Sequence, residues 1–148
     1  MRIFAVGNSF YGDDGVGAAV LDRIREADIF PGACLFDAHT DALALLDRFT
    51  PGETNIIVDA ADMGLEPGAV AAFRPAEVDM KIRSDHLSMH GFGLGETFAM
   101  AARLGSMPED VLIVGVQPAQ MEINTGLSEP VAAAIPQVLS LIEAEATE

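Results

Sequence analysis

Two adjacent carboxylates, Asp13 and Asp14, stand inside the glycine-rich stretch Gly7-Asn8-Ser9-Phe10-Tyr11-Gly12-Asp13-Asp14-Gly15-Val16-Gly17, which joins an apolar run at Met1–Val6 to a helix-period segment. Glycines permit a tight turn and close backbone approach, and the free N–H groups of a helix start favour an anion. A phosphate is the default occupant of such a loop. Here the two acids oppose it: there is no Walker lysine, and Gly12-x-x-Gly15-x-Gly17 reverses the dinucleotide fingerprint. An open acidic loop suits a cation instead, unless one acid only caps the helix.

Two further segments carry matching chemistry. Asp59 terminates the apolar run Asn55-Ile56-Ile57-Val58-Asp59, where it can serve a site or cap a turn. His86 and His90 lie in Ser84-Asp85-His86-Leu87-Ser88-Met89-His90-Gly91, four residues apart as in helical zinc sites. Glycines at 91, 93 and 95 make this segment a loop, and His-Glu-x-x-His is absent, so one ligand is expected and not two. His39, in Phe36-Asp37-Ala38-His39-Thr40, is a third imidazole candidate, against the alternative of a simple structural hydrogen bond. No Gly-x-Ser-x-Gly elbow is present. Cys34, the only cysteine, sits in the apolar run Ala33-Cys34-Leu35-Phe36, where a buried structural role is expected, and one cysteine can form neither an intrachain disulfide nor a thiolate cluster. Two carboxylates and a neutral imidazole make a borderline-to-hard divalent site, compatible with nickel, zinc or other first-row ions. Residue chemistry alone leaves the choice between Asp13 and Asp14, and among the histidines, open.

The elements that must position these groups alternate along the chain. Strands are predicted at about 3–6, 34–37, 55–59, 70–73 and 111–116, and helices at about 14–26, 41–49, 94–104 and 129–143. In the last helix Val131, Ile135, Val138, Leu139 and Ile142 share a face, Ser128 is placed to cap, and Pro136 predicts a kink or break. The pattern implies a three-layer α/β/α sandwich around a five-stranded, mostly parallel twisted sheet. The short connection Met63–Gly68 has no room for a crossover helix, so an antiparallel pairing is expected between strands 55–59 and 70–73. In such a sheet ligands collect at the carboxyl ends of the strands, where the Asp13–Asp14 loop and Asp59 would meet.

Length and charge bound the rest. With 148 residues, half of them hydrophobic, one globular domain over 1–148 is expected, a monomer. No run reaches a membrane span, and a first strand beginning almost at Met1 leaves no room for a signal peptide, so a cytoplasmic protein is expected. A formal net charge of −15, with Lys81 the sole lysine, argues against nucleic acid or an anionic membrane as partner and favours a basic one.

Together these motifs resemble the hydrogenase maturation proteases, endopeptidases that trim the C-terminal extension from the large subunit of nickel–iron hydrogenases. The likeness runs from Gly7–Gly17 through Ile57-Val58-Asp59-Ala60-Ala61-Asp62-Met63-Gly64 with Pro67-Gly68, Ser88-Met89-His90 with Leu94, and Val114-Gly115-Val116-Gln117-Pro118, to Thr125-Gly126-Leu127-Ser128. Around Asp59–Gly68 it is most similar to the proteases of the formate-hydrogenlyase type. The resemblance implies that Asp14, Asp59 and His90 are the metal-binding and catalytic residues, and that His86, wrongly spaced from Leu94, is not one. It implies an endopeptidase whose partner is a large-subunit precursor. It further implies nickel that arrives in that precursor as the recognition element, other divalent ions substituting. Asp37-Ala38-His39-Thr40 departs from the family's Asp-Gly-Gly-Thr-like motif linked to substrate choice. A different class, a non-catalytic module that senses a cation through the acidic loop, and a nucleotide-binding α/β domain are the competing readings.

Overall fold

Each of the five apolar runs forms a strand. The computed structural model describes residues 1–82 and 93–147. Strands β1 (Arg2–Val6), β2 (Cys34–Asp37), β3 (Asn55–Ala60), β4 (Val70–Phe73) and β5 (Val111–Val116) make one sheet in the order β2-β1-β3-β5-β4. All pairs are parallel except β4 with β5. The three-layer α/β/α arrangement with one antiparallel strand is therefore as expected.

One neighbour relation differs from expectation. β4 was to lie beside β3, but β5 sits between them. The physical reason is burial: every residue of β5 is buried, which suits an interior strand, whereas Val70, Ala71 and Ala72 of β4 are partly or fully exposed, which suits an edge. The Met63–Gly68 turn steps across one strand position. β2 forms the other edge, and Cys34 at its start is exposed, not buried as its apolar surroundings suggested.

Helices cover both faces. A 3-10 turn, Gly12–Gly15, leads into α1 (Val16–Ala27). A second 3-10 segment, Ala42–Asp47, replaces the α-helix expected over 41–49, and α2 (Val78–Lys81), α3 (Leu94–Leu104) and α4 (Glu129–Ala146) follow. In Ala42–Asp47 the two fully buried residues, Ala42 and Leu45, are three apart, so a three-residue turn aligns them toward the core. α4 runs through Pro136 without a break.

Successive strand residues point to opposite faces and build two cores. On the first, α1 (Val20, Leu21, Ile24) and α4 (Val131, Val138, Ile142) pack on Ile3, Ala5, Ile56, Val58 and Val114. On the second, Leu45, Leu94 and Phe98 pack on Phe4, Val6, Ile57 and Ile113. Asp59, two residues after Ile57, follows the same alternation onto the second face. A Cβ on Gly17 would lie 2.7 Å from the Val58 carbonyl oxygen and 2.9 Å from Ala5 Cβ, so only glycine lets α1 sit this close to β1 and β3.

Candidate functional site

Register brings the two expected carboxylates to the same rim. Asp59 pairs with Val6 of β1 on one side and Gly115 of β5 on the other. Val6 is followed by Gly7, whose φ of +139° only glycine adopts readily. A Cβ there would collide with the Asp14 carbonyl oxygen and stand 3.3 Å from Asp14 Oδ1. The Asn8 backbone N–H donates to Asp14 Oδ2 at 2.7 Å, and the Gly12–Gly15 turn packs against β3. Asp14 is 1% exposed and Asp59 6%. Two carboxylates withdrawn from water at the carboxyl ends of adjacent parallel strands form a place where a cation lowers the cost of burying like charges. The donor chemistry thus fits a divalent ion.

Asp13 has a different duty from its neighbour. Its carboxylate accepts from the N–H groups of Ala119 (2.8 Å), Gln120 (3.0 Å) and Ser128 (2.6 Å), and from the Ser128 hydroxyl (2.8 Å). Its own N–H donates to the Gln120 carbonyl at 2.9 Å. Burial pushes the Asp13 pKa up, but these hydrogen bonds, led by those from the Ser128 and Gln120 backbone, outweigh it and hold the group below its ordinary 3.8. Helix capping, the simple reading of this acid, is not its role, since neither the 3-10 turn nor α1 has a side-chain cap. Ser128 does occupy the N-cap position of α4, but its hydroxyl donates to Asp13 and caps nothing.

Of the histidines, His39 reaches the rim through its backbone. Its carbonyl accepts the Gly7 N–H at 2.7 Å, its N–H donates to Asp37 Oδ1 at 2.8 Å, and its φ is +53°. The imidazole is mostly exposed, with Nδ1 3.6 Å from Asp37 Oδ2. His86 and His90 lie outside the described residues. Among the described residues no group of three or more His, Cys, Asp or Glu is placed to hold a metal ion.

Gln117 was passed over as a site-builder. Its carboxamide oxygen accepts the N–H groups of Met63 (2.7 Å) and Leu65 (3.2 Å), and its amide donates to Asp62 Oδ1 at 3.2 Å, so it fixes the loop after β3. The signal was a buried-strand run ending in a polar residue before proline. A groove of about 300 Å³ between Ile29, Phe30, Leu139 and Glu143 lies near the C-terminal end of α1, away from these carboxylates.

Sequence and structure comparisons agree with this fold. A family model described as "Hydrogenase maturation protease" matches residues 19–145. The chain belongs to the hydrogenase maturation protease family. It is 34% identical over 141 residues to the hydrogenase expression/formation protein HupM of Azotobacter chroococcum mcd 1, covering 94% of this chain and 68% of that protein. It is 26% identical over 148 residues to the hydrogenase 2 maturation protease of Escherichia coli (strain K12), covering 99% of this chain and 90% of that one. The hydrogenase maturating endopeptidase HybD from E. coli superposes with a TM-score of 0.78 at 26% identity, over 98% of this chain and 91% of that one. The [NiFe] hydrogenase maturation protease HybD from Thermococcus kodakarensis, at 23% identity and a TM-score of 0.70 over 97% and 98% of the two chains, shares the fold. None of these four matches singles out the formate-hydrogenlyase type. Family membership makes this protein a protease of hydrogenase maturation, and the readings as a binding module or a nucleotide-binding domain lose their support. Among the described residues no helix is long and apolar enough to cross a membrane.

Proposed function

We propose that this protein is an endopeptidase that removes the C-terminal extension of a nickel–iron hydrogenase large-subunit precursor and recognises it by the nickel the precursor carries. The observation that carries this reading is the placement of Asp14 and Asp59, both withdrawn from solvent, at the carboxyl ends of adjacent strands. His90 is the third ligand of the proposal. It precedes α3, whose Leu94 and Phe98 pack on the face to which Asp59 belongs, and this supports the assignment. Nickel is here part of the substrate, and its chemistry is Lewis acidity toward the scissile carbonyl or a water. The protein's own residues bind: two carboxylates and an imidazole hold the substrate's ion, the buried rim limits competing water, and one carboxylate accepts a proton. Other divalent ions bind the same donors. The place of action is the cytoplasm.

The test is incubation with nickel-loaded precursor beside nickel-free precursor, followed by mass spectrometry of the large subunit. Wild-type protein is expected to shorten only the loaded form, and His90→Ala to shorten neither while its far-UV circular dichroism stays unchanged. Efficient cleavage of nickel-free precursor by wild type, or of either form by His90→Ala, sinks the proposal.

A further inference from the structure

Among the described residues, three of the four large apolar side chains left in water stand at the end of the sheet that holds the carboxylates. Among the described residues the exposed ones are Phe10 (70%), Ile123 (60%), Leu65 (48%) and Leu104 (65%). Leu104 ends α3. The other three stand in three different loops at the carboxyl rim: Phe10 after β1, Leu65 after β3 and Ile123 after β5.

Each of the three is presented by a polar group that fixes its loop. The Asn8 carboxamide accepts the Phe10 N–H at 2.9 Å, while the Asn8 backbone N–H binds Asp14 Oδ2 at 2.7 Å, so one residue ties the Phe10 tip to the candidate site. Buried Gln117 holds the Leu65 N–H. Buried Asp13 holds Ala119, Gln120 and Ser128 on both sides of Ile123. The Phe10 and Ile123 loops are also joined directly, through the Asn124 N–H to the Phe10 carbonyl at 2.8 Å and an antiparallel bridge between Tyr11 and Ile123. Fixed loops cannot fold their apolar side chains away, and apolar surface kept exposed around a site marks an interaction surface.

We infer that Phe10, Leu65 and Ile123 form a docking rim for the precursor, seating an extended segment that carries apolar side chains with basic residues among them. The apolar part follows from the three side chains. The basic part follows from charge: exposed Glu66 adjoins Leu65, exposed Glu122 adjoins Ile123, and the whole chain carries −15. Such a surface rejects an acidic segment and steers a basic one. The inference rests on the proposed function, which supplies the occupant.

Steady-state cleavage of nickel-loaded precursor tests it, with Phe10→Ser, Leu65→Ser, Ile123→Ser, their triple combination, and Leu104→Ser as an exposed apolar control. Each single rim variant is expected to raise KM about 3- to 10-fold with kcat within about twofold of wild type, and the triple more, while Leu104→Ser matches wild type. Glu66→Gln/Glu122→Gln is expected to weaken the dependence of kcat/KM on salt. Melting curves identify any variant that fails to fold, and the three single variants then decide. Unchanged KM in the folded rim variants, an equal loss in Leu104→Ser, or an effect confined to kcat overturns the docking rim. In that case wild-type cleavage still upholds the proposed function. A wild type that cuts no precursor removes the function and this inference together.

Discussion

A 3-10 turn advances about 120° per residue, so consecutive side chains cannot share a direction, and Asp13 and Asp14 are parted by that geometry. Asp14 turns to the rim beside Gly7 and Asn8, and Asp13 turns to the loop before α4. The sequence showed two equivalent acids because the partners of Asp13 are 106 to 115 residues away, and no local pattern reports them. The position of Asp59 at the rim was legible, since it ends the apolar run of a buried parallel strand. The clamp predicts a separation of effects. Asp13→Asn gives up the negative acceptor for four donors and is expected to cost about 2–3 kcal/mol at pH 7, more than a simple cap, with little loss of nickel affinity. Asp14→Asn is expected to do the reverse. The pH dependence has a definite sign. A carboxylate held below 3.8 in the folded state stabilises fully above that value and loses its contribution as pH falls through its folded pKa. Urea unfolding of wild type and Asp13→Asn should therefore differ at pH 7 and begin to converge as pH falls below about 3.8. A gap that persists undiminished at pH 3 would show that charge is not what holds the clamp.

At the scale of elements, the sequence predicted all five strands and the positions of α1, α3 and α4, because each carries a clear apolar period. What it misplaced were features decided by competition between elements. The interior position between β3 and β4 went to β5, and Ala42–Asp47 chose three-residue over 3.6-residue turns so that Ala42 and Leu45 could both bury. Pro136 is a different case. It lacks an N–H, and its ring crowds the preceding turn, which is why a kink or a break was expected, and of the two the break is absent. The helix persists because Val131, Ala134, Val138 and Ile142 anchor it on both sides of the proline, which is itself exposed on the solvent face. Tertiary burial outweighs the local penalty without removing it. Pro136→Ala is thus expected to raise stability by about 1–3 kcal/mol, read from the denaturant midpoint at unchanged slope. No gain would mean that the helix has already relaxed around the ring.

For the whole molecule, the separation of core from rim decides what metal does to the fold. Both cores are built from strand residues packed under helices, and the loops around the carboxylates are tied by hydrogen bonds from Asn8 to Asp14, from Ser128 to Asp13, and from Met63 and Leu65 to Gln117. An ion delivered by a substrate would bind to this finished frame and would not be needed to build it. Chelation is therefore expected to leave the melting curve of the isolated protein unchanged. Added nickel at tenfold its dissociation constant should stabilise by about 1.4 kcal/mol through mass action, which for a chain of this size raises Tm by about 3–5 °C. Asp14→Asn and Asp59→Asn should lose that rise while keeping the chelated Tm near wild type, since the amide keeps the size of the carboxylate and, at position 14, an acceptor oxygen for the Asn8 N–H. Differential scanning calorimetry with a chelator, then with nickel, reads both quantities on one sample. A large fall in Tm on chelation would make the ion a resident structural part and end the case for nickel as a message carried by the precursor. A nickel-induced rise that survived both substitutions would move the ion's site away from this rim.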